Sequence, residues 1–505
     1  MSIQRDTKIV RVKWACVFVG FLLISFCASP TRLEACDELP PGTLFWVRLT
    51  DLISSYTAKP GSLVRGFLLQ APECNHIPVL STKIPVEGKV LSVHRVGLGL
   101  RHETASLEIG FFRILPPGLE PIEISARIEV IDYARENVKN GVIHGIRSTD
   151  TPQGIISSRL KYLPSLHLYP DPILLAYKVI FPIFPEPEIT LQPGTDIQVA
   201  LVQGAKLPPD LPPVQQIDGL YQTAELRETL LRLPPRTFTK KGKKADVVNM
   251  VFVGSEMDLE QAFEAAGWHP SDAVSFRTVA HDFYSFLAKT SYATAPMSSQ
   301  FLNGHKSALT LEKAPQSYEK RNHVRIWELD DVPEGTPLWA AAAVRETGGT
   351  FSIKHKGFVH HVSEDLDEEQ QTVVRDLVVA GCVEAVGSIP RPAMDHVMRN
   401  ATDELFRTDG SLRVVRLKPC ISDSQGDFAG RTQCMKPGSW LFRFLRRQVL
   451  TVRSDLWRAN CIYAAFDLTR MTVGIAAGRH VSVSRAKHDP EPSAAGQAFL
   501  ETPHR

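Results

Sequence analysis

The sequence predicts a multidomain α+β protein, in which an N-terminal antiparallel β-barrel or sandwich precedes a C-terminal α+β domain. Three observations lead to this prediction. The chain has 505 residues, which is more than one hydrophobic core ordinarily serves. Its first part is a series of short β-branched and aromatic runs separated by Pro and Gly. Its second part mixes such runs with segments of helical spacing, without strict alternation.

The composition is that of a folded protein and excludes several classes. Hydrophobic residues make up 43% of the chain and charged residues 22%, as in globular proteins. The mean hydropathy of -0.09 excludes a polytopic membrane protein. The net charge is only +2, and Lys and Arg form short clusters rather than the concentrated basic stripe of nucleic-acid-binding proteins. We therefore predict no nucleic-acid partner.

Residues 1–36 are predicted to be an export signal or a membrane anchor. Basic residues precede the apolar run "WACVFVGFLLISFCA", Trp14 to Ala28. The run is shorter than the roughly 20 apolar residues of a spanning helix. This favours cleavage after Ala35 slightly over an anchor in the inner membrane, and either places the body in the periplasm. A lipoprotein with lipidated Cys36 is less favoured, because Glu34 does not suit a lipobox.

Residues 40–205 form the predicted β-rich domain, with an irregular insertion at about 133–190. Two segments share the frame PGTxxxVxL, "PGTLFWVRL" (Pro41 to Leu49) and "PGTDIQVAL" (Pro193 to Leu201). Each is typical of a turn that leads into a strand. Because they bracket the region, we expect them to be its first and last strands and to pair, which would close the sheet.

The rest of the chain divides into three predicted parts. Residues 206–245 are a Pro- and Lys-rich linker with a short helix. Residues 246–435 are the α+β domain, in which Ser255 and Asp258 are suited to cap a helix and Gly381 to end a later one. Residues 436–505 are a basic amphipathic helical tail with a disordered end. That helix either lies on an anionic lipid surface or docks on the C-terminal domain.

The cysteines leave two alternatives open. Cys420 and Cys434 flank a polar loop that contains Gly and would form a disulfide in an oxidising compartment. Unpaired buried thiols are an equally good interpretation. The spacing of the cysteines matches neither a zinc site nor a redox pair.

Residues 246–390 resemble the LssY-like C-terminal domain family. The segments that carry the resemblance occur in the family's order: "NMVFVGSEMDLEQAFEAAGWHPSD", "YATAPMS", "RNHVRIWEL", "GTPLWAAAAVRETG", "VHHVSEDLDEEQ" and "AGCVEA". The resemblance implies a bacterial envelope protein linked to secretion, with no established reaction. The family pattern marks His323, Arg325 and Trp327, and His360 with later acids, although Ser363 stands where the family has an aspartate. The N-terminal sheet is more weakly similar to TrbI-like conjugation proteins, through its P-G-T strand entry and the segment Ile77 to Val90.

The segment "RNHVRIWEL" contains the candidate site. With a period of two, Arg321, His323, Arg325 and Trp327 point to one side of a strand. This row would bind an anion through the two guanidinium groups, or a partner protein through Arg and Trp. A divalent metal held by His323, His360 and Asp367 is a third hypothesis. The plainest interpretation is a strand with one solvent-exposed face.

The favoured function is a non-enzymatic binding or assembly role in the bacterial envelope. Its expected partners are envelope or secretion-apparatus proteins, with an anionic lipid surface as a further partner, and no cofactor is expected. The alternative is an envelope hydrolase, metal-dependent or acting on phosphate esters. Its catalytic candidates would be His323, Arg325, His360 and Asp367. The sequence contains no Ser-His-Asp elbow, P-loop or HExxH motif that would specify a reaction.

Overall fold

The computed structural model describes residues 36–74, 77–132, 134–148, 185–212, 224–272, 277–278, 297–317, 320–330, 337–352, 357–400, 402–420, 439–446 and 449–450. The predicted export segment, most of the predicted insertion and the end of the tail lie outside these residues. In the part of the chain that is described, no helix is both long and apolar enough to span a bilayer.

The N-terminal part consists of strands and connecting turns. Its described strands are β1 (Glu38–Leu39), β2 (Leu44–Leu49), β3 (Ile53–Ser54), β4 (Leu63–Gln70), β5 (Glu73–Cys74), β6 (Ile77–Pro78), β7 (Pro85–His94), β8 (Ser106–Ile114), β9 (Ile122–Ile131), β10 (Asn137–Lys139), β11 (Val142–His144), β12 (Thr190–Leu191), β13 (Asp196–Leu201) and β14 (Ala205–Lys206).

Six of these strands close into an antiparallel β-barrel. The pairs run β2 with β4, β4 with β7, β7 with β8, β8 with β9, β9 with β13, and β13 back to β2. Buried and exposed residues alternate along most of β9, because successive side chains point to opposite faces. The inward faces form one apolar core that includes Phe45, Phe111 and Ile128. The predicted N-terminal barrel is confirmed.

The two Pro-Gly-Thr turns meet where the barrel closes. Both glycines have the left-handed backbone that glycine tolerates best, with φ of 85° at Gly42 and 86° at Gly194. The amide of Gly42 donates to the carbonyl of Leu201, and the amide of Gly194 donates to the carbonyl of Leu49, each over 2.7 Å. Each turn thus ties down the far end of the other strand, and the predicted pairing of β2 with β13 is confirmed.

The C-terminal part mixes strands with few helices. Its described elements are α1 (Ala224–Leu231), β15 (Arg236–Thr239), β16 (Lys244–Val247), β17 (Met250–Val253), α2 (Glu256–Ala265), β18 (His269–Pro270), β19 (Gln300–Leu302), β20 (His305–Lys306), β21 (Leu309–Ser317), β22 (Lys320–Glu328), β23 (Leu338–Ser352), β24 (Gly357–Val362), α3 (Leu366–Ala380), β25 (Val383–Pro390), β26 (Val397–Arg399), β27 (Leu405–Arg407) and β28 (Ser411–Leu417).

A large sheet forms the centre of this part, in the strand order β18-β21-β22-β23-β17-β28-β25, with β24 paired to β23. Helices α2 and α3 pack on one face, around Phe263, Trp268 and Leu377. Helix α1 covers part of the other face through Leu230. A small sheet in the order β16-β15-β19-β20 packs on the same face, where its Leu302 contacts the large sheet. The large sheet is therefore covered on both sides, and β22 lies within it.

The helix ends follow the signals in the sequence. Ser255 and Asp258 form a capping box at the start of α2, which satisfies amide groups that have no partner within the helix. Asp365 caps α3, and Gly381 ends it with a φ of 81°. Residues 236–245, which the sequence places in the linker, instead belong largely to the hairpin of β15 and β16.

Two disulfides cross-link the described residues. Cys36 is bonded to Cys74, and Cys382 to Cys420. The prediction that Cys420 bonds to Cys434 is therefore wrong, because Cys420 is bonded to Cys382. Cys434 lies outside the described residues. Cys382 is two residues beyond the end of α3 and lies beside the end of β28, which brings it to Cys420. The bond to Cys74 leaves the sulfur of Cys36 unavailable for the thioether of a lipoprotein.

Candidate functional site

The predicted row on β22 is buried. The exposed fraction is 2% at Arg321, 4% at His323, 4% at Arg325 and 2% at Trp327. The four side chains do share one side of the strand, as their alternation predicts, but that side is not solvent-exposed. The other side of β22 packs into the core beneath α2 and α3. The interpretation of this row as the outer face of a strand is therefore wrong, because the small sheet lies over it.

Trp327 joins the two sheets. Its ring packs with Val248, Leu302 and the alanines of β23 in a small apolar cluster. Its Nε1–H donates to the carbonyl oxygen of His305 over 3.2 Å, so the polar end of the indole is satisfied inside the protein. A buried Trp in this position contributes to the fold and is not available as a surface for a partner.

Asp246 is the centre of the polar contacts between the sheets. Its Oδ2 lies 2.6 Å from Nη1 of Arg325 and accepts from Nε2 of Gln300 over 2.7 Å. Nε2 of His323 is 3.9 Å away from the same oxygen. Burial alone would raise the pKa of Asp246, but Arg325 and His323 outweigh it and lower this pKa to about 2. Asp246 is therefore ionised and pairs with Arg325.

His323 is neutral in this setting. Burial, followed by the positive charge of Arg325, lowers the pKa of His323 below its ordinary value, although Asp246 and Glu346 act in the opposite direction. Nδ1 of His323 is 3.6 Å from Oε1 of Glu346. A neutral imidazole can bind a metal or act as a base, but here both ring nitrogens face carboxylates of the protein itself.

Arg321 is likewise engaged with carboxylates of the neighbouring strands. Its Nε lies 2.7 Å from Oε2 of Glu346 on β23, and its Nη1 lies 3.2 Å from Oε2 of Glu312 on β21. With Arg325 on Asp246, both guanidinium groups of the row are paired within the protein. A bound anion would have to displace buried carboxylates. The geometry gives Arg325 a role in holding the two sheets together and Arg321 a role in linking neighbouring strands of the large sheet.

The remaining catalytic and metal candidates are on other elements, β24 and α3. His360 is in β24, opposite Gly349, and its side chain lies outside what the structure describes. Asp367 is in the first turn of α3, where it accepts from Oγ1 of Thr408 over 2.8 Å and from the amide of Asp409 over 2.7 Å. Burial raises the pKa of Asp367, against these hydrogen bonds. Asp367 and His323 share no partner, and no metal-ligand grouping of three acidic, His or Cys side chains occurs among the described residues.

A second buried cluster, which sequence reasoning missed, joins the barrel to the C-terminal part. Asp376 of α3 lies 2.7 Å from Nη2 of Arg48 on β2 and 2.6 Å from Nζ of Lys313 on β21. Nε1 of Trp268 donates to the same carboxylate over 3.1 Å. Arg48 also pairs with Asp196, its neighbour on β13, over 2.7 Å. The charged residues inside the apolar runs "LFWVRL" and "VVRDLVV" could have indicated this cluster from the sequence alone.

Further contacts lie along the same interface. Arg345 of β23 forms ion pairs with Asp132 of the barrel and with Glu368 of α3. The guanidinium group of Arg375 stacks over Trp46 at 4.8 Å from the ring centroid. An apolar cluster of barrel residues meets Val379 of α3. Helix α3 therefore contacts the barrel by charge, stacking and apolar burial along its length.

Glu369 is an unusual member of this interface. It is fully buried, and neither of its carboxylate oxygens has a hydrogen-bond partner. Burial raises the pKa of Glu369 well above its ordinary value, with Arg345 opposing and Asp132 and Asp376 adding to the rise. Burial therefore favours the protonated, uncharged form of this carboxyl group in the interface.

Comparison with known families agrees with the sequence. Residues 228–412 match the family model described as LssY C-terminus. The matched segment is a little over a third of the chain and runs from within α1 to the start of β28, so the resemblance predicted for residues 246–390 is confirmed. Within the LssY C-terminal segment lie Asp246, the row on β22 and Asp376. The side of β22 that carries the row is closed by ion pairs between residues of this segment.

The other comparisons add little. No curated protein matches the chain. Among solved structures, the chain is similar to ComB10 of the Com type IV secretion system of Helicobacter pylori, with 10% sequence identity, 36% of this chain and 96% of that chain covered, and a TM-score of 0.20. At that score the similarity carries no conclusion about fold or function.

Proposed function

We propose that the chain is a non-enzymatic binding or assembly module of the bacterial envelope, acting with secretion components or other membrane components. The observation that carries this proposal is the burial and internal pairing of the row on β22. Arg321, Arg325 and Trp327 all have partners inside the fold. Groups used in this way hold strands and sheets together and do not reach a substrate.

The joint between barrel and LssY C-terminal segment supports an assembly role. Arg48, Lys313 and Asp376 are each at least 93% buried, and removal of one partner from such a cluster leaves a buried charge uncompensated. The cluster therefore favours one fixed arrangement of the two parts. A fixed arrangement suits a module that presents the surfaces of two domains to partners at a defined spacing.

The two disulfides support the predicted export to the periplasm. Disulfides persist in oxidising compartments such as the periplasm and are rare in the cytosol. Cys36–Cys74 ties the start of the described chain to the barrel, and Cys382–Cys420 ties the end of α3 to the segment after β28. Each would therefore form only after transfer across the inner membrane, as the basic and apolar N-terminus predicts.

The alternative hydrolase is less well supported. It requires His323 and Arg325 to reach a substrate, but each is 4% exposed and faces Asp246. Asp367 does border an open surface depression of about 480 Å³, which His396 and Arg407 also line. However, its carboxylate is held by Thr408 and Asp409.

The proposal is tested by crosslinking in the cell that exports the full chain. A photoreactive residue is placed at one of two exposed positions, Met257 on α2 or Val397 on β26 (65% and 52% exposed). We expect one of these positions to yield a discrete crosslink to an envelope protein, with both disulfides formed. The control is the same chain carrying Asp376→Asn, which should reduce the crosslink by weakening the joint.

Two results would overturn the proposal. One is a chain that remains in the cytoplasm with its cysteines reduced. The other is a purified protein that hydrolyses a phosphate ester and loses that activity, but not its fold, on substitution of His323→Gln. The second result would establish the hydrolase.

A further inference from the structure

The short helix of the tail docks on the barrel. Residues 440–446 are helical. Arg446, which is 3% exposed, pairs with Glu186 over 2.6 Å and with Glu188 over 3.5 Å. Its Nε also donates to the carbonyl of Gly97. The tail helix is therefore fixed to the loop that joins β7 to β8.

Leu450 completes this attachment. It is 5% exposed and belongs to the apolar core of the barrel. It lies over Gly99, where an added Cβ would come within 2.2 Å of the leucine side chain. Gly99 also has a φ of 78°, which strains any other residue. Gly99 of the motif "VGLGL" thus provides the space for Leu450 of the tail, and packing explains why this position is a glycine.

The opposite face of the tail helix is apolar and exposed. Its exposed large side chains are Trp440 (70%), Leu441 (52%), Phe444 (47%) and Leu445 (51%). With 100° between successive residues, these four lie within one arc of the helix, and Arg446 lies on the far side. The attachment through Arg446 therefore turns the apolar face outward. A cluster of four large apolar residues on one short helix is more than the scattered exposure of an ordinary surface.

The loop beneath the helix extends this surface. Leu98, between Gly97 and Gly99, is 40% exposed, and Leu100, which follows Gly99, is 72% exposed. Arg95 and Arg101, at either side of the loop, are also exposed. Apolar residues flanked by arginines, with Trp among them, are the composition of protein surfaces that lie at a bilayer interface. The arginines complement the negative charge of anionic headgroups.

We propose that the outward face of the tail helix, Trp440 to Leu445, together with the adjacent loop Arg95 to Arg101, docks the barrel on an anionic lipid bilayer. This inference rests on the proposed envelope function and identifies an anionic lipid bilayer as the partner of one surface of the protein. The tail helix lies flat, with its apolar side chains at the level of the acyl boundary. Because Arg446 and Leu450 fix the helix to the barrel, docking also orients the barrel relative to the membrane.

The test follows the fluorescence of Trp440 in the full chain. The protein is mixed with vesicles of phosphatidylglycerol and brominated phosphatidylcholine, and the signal of a Trp440→Phe variant is subtracted. We expect the bromine atoms to quench Trp440 and the vesicles to shield it from iodide. Quenching should weaken in vesicles of phosphatidylcholine alone and at high salt, because the arginines are then screened.

Paired variants separate this surface from the apolar N-terminus, which every protein in the test retains. Leu441→Glu with Leu445→Glu should lower the quenching of Trp440 roughly tenfold or more, since burial of two leucines is lost. The matched control is Leu63→Glu with Val202→Glu, two exposed apolar positions on the barrel (42% and 49% exposed), which should leave the quenching unchanged. Circular dichroism of each variant checks the fold.

The inference is overturned if Trp440 remains accessible to iodide in anionic vesicles, or if both paired variants behave alike. If a photoreactive group at position 441 instead captures an envelope protein in cells, the face is a protein interface. In that case the lipid inference fails while the proposed envelope function stands.

Discussion

Arg48 of the barrel and Asp376 of α3 form a buried ion pair, with Nη2 and Oδ1 2.7 Å apart. Burial opposes the charge on each, but each is held ionised by the other. The pKa of Asp376 is lowered to about 2 by Lys313 and Arg48, and Asp196 and Asp376 raise the pKa of Arg48. The pair joins residues 328 positions apart in sequence, and it links the two parts of the chain directly.

Replacement of Asp376 should destabilise the protein strongly. Asp376→Asn removes the carboxylate that Arg48 and Lys313 share, and a buried pair broken on one side costs about 3–5 kcal/mol in the free energy of unfolding. Urea unfolding followed by circular dichroism measures this change. The control is Glu228→Gln, because the pair of Glu228 with Arg232 is mostly exposed (68% and 70%) and should contribute less than about 1 kcal/mol. A loss below 1 kcal/mol in Asp376→Asn would contradict the role of the cluster.

Glu369 should make the protein less stable as the pH rises above its ordinary pKa of 4.5. Its pKa in the fold is raised above the ordinary value of 4.5, so above pH 4.5 the folded state binds more protons than the unfolded state. Stability then falls as the pH rises toward the folded pKa. Glu369→Gln removes this dependence. The stability of the variant should therefore rise relative to that of the unaltered protein as pH increases, and the two should be equally stable below about pH 4.5.

Urea unfolding at several pH values checks this prediction for Glu369. The control is Glu260→Gln on α2, whose side chain is exposed and should not alter the pH profile. Parallel profiles for Glu369→Gln and the unaltered protein would show that the fold does not raise the pKa of Glu369.

The barrel was predictable because its signals are local. The Pro-Gly-Thr frames mark the two strands that pair, and Gly42 and Gly194 adopt the turn conformation that only glycine takes easily. The cap at Ser255 and the stop at Gly381 were predictable for the same reason. In each case, the sequence within a few residues determines the backbone that forms.

The environment of the row was not predictable, because it depends on distant residues. Alternation correctly places Arg321, His323 and Arg325 on one side of β22, but a period of two does not say what covers that side. Arg325 pairs with a carboxylate 79 positions away, and Arg321 with one 25 positions away. Likewise, spacing alone did not reveal that Cys420 bonds to Cys382.

Asp246 should stabilise the protein above about pH 4 and lose this effect in acid. Its pKa of about 2 in the fold is below the ordinary value of 3.8, so protonation weakens the fold as pH falls from about 4 toward 2. The difference corresponds to about 2 kcal/mol in the free energy of unfolding. Asp246→Asn should lose at least that much at pH 7, because Arg325 is then left without its carboxylate.

The acid profile distinguishes this effect from a general loss of stability. The gap between Asp246→Asn and the unaltered protein should narrow between pH 4 and pH 2, as measured by urea unfolding. Asp258→Asn, at the exposed start of α2, is a control for loss of an aspartate elsewhere. A gap that is constant with pH would mean that Arg325 does not depend on the charge of Asp246.

The bond between Cys382 and Cys420 should contribute substantially to stability. It closes a segment with a sequence separation of 38, for which the chain-entropy treatment gives about 4 kcal/mol in the free energy of unfolding. Cys382→Ala should lose about this amount under oxidising conditions and little in the presence of a reductant.

Cys434→Ala is the matched control and should leave stability and the disulfide peptide unchanged. Peptide mapping without reduction should yield a fragment that joins Cys382 to Cys420, whereas a fragment joining Cys420 to Cys434 would contradict this pairing. Because Cys382 is close to the end of α3, loss of the bond should also weaken the joint at Asp376. The loss in the free energy of unfolding for Cys382→Ala combined with Asp376→Asn should therefore differ from the sum of the two single losses.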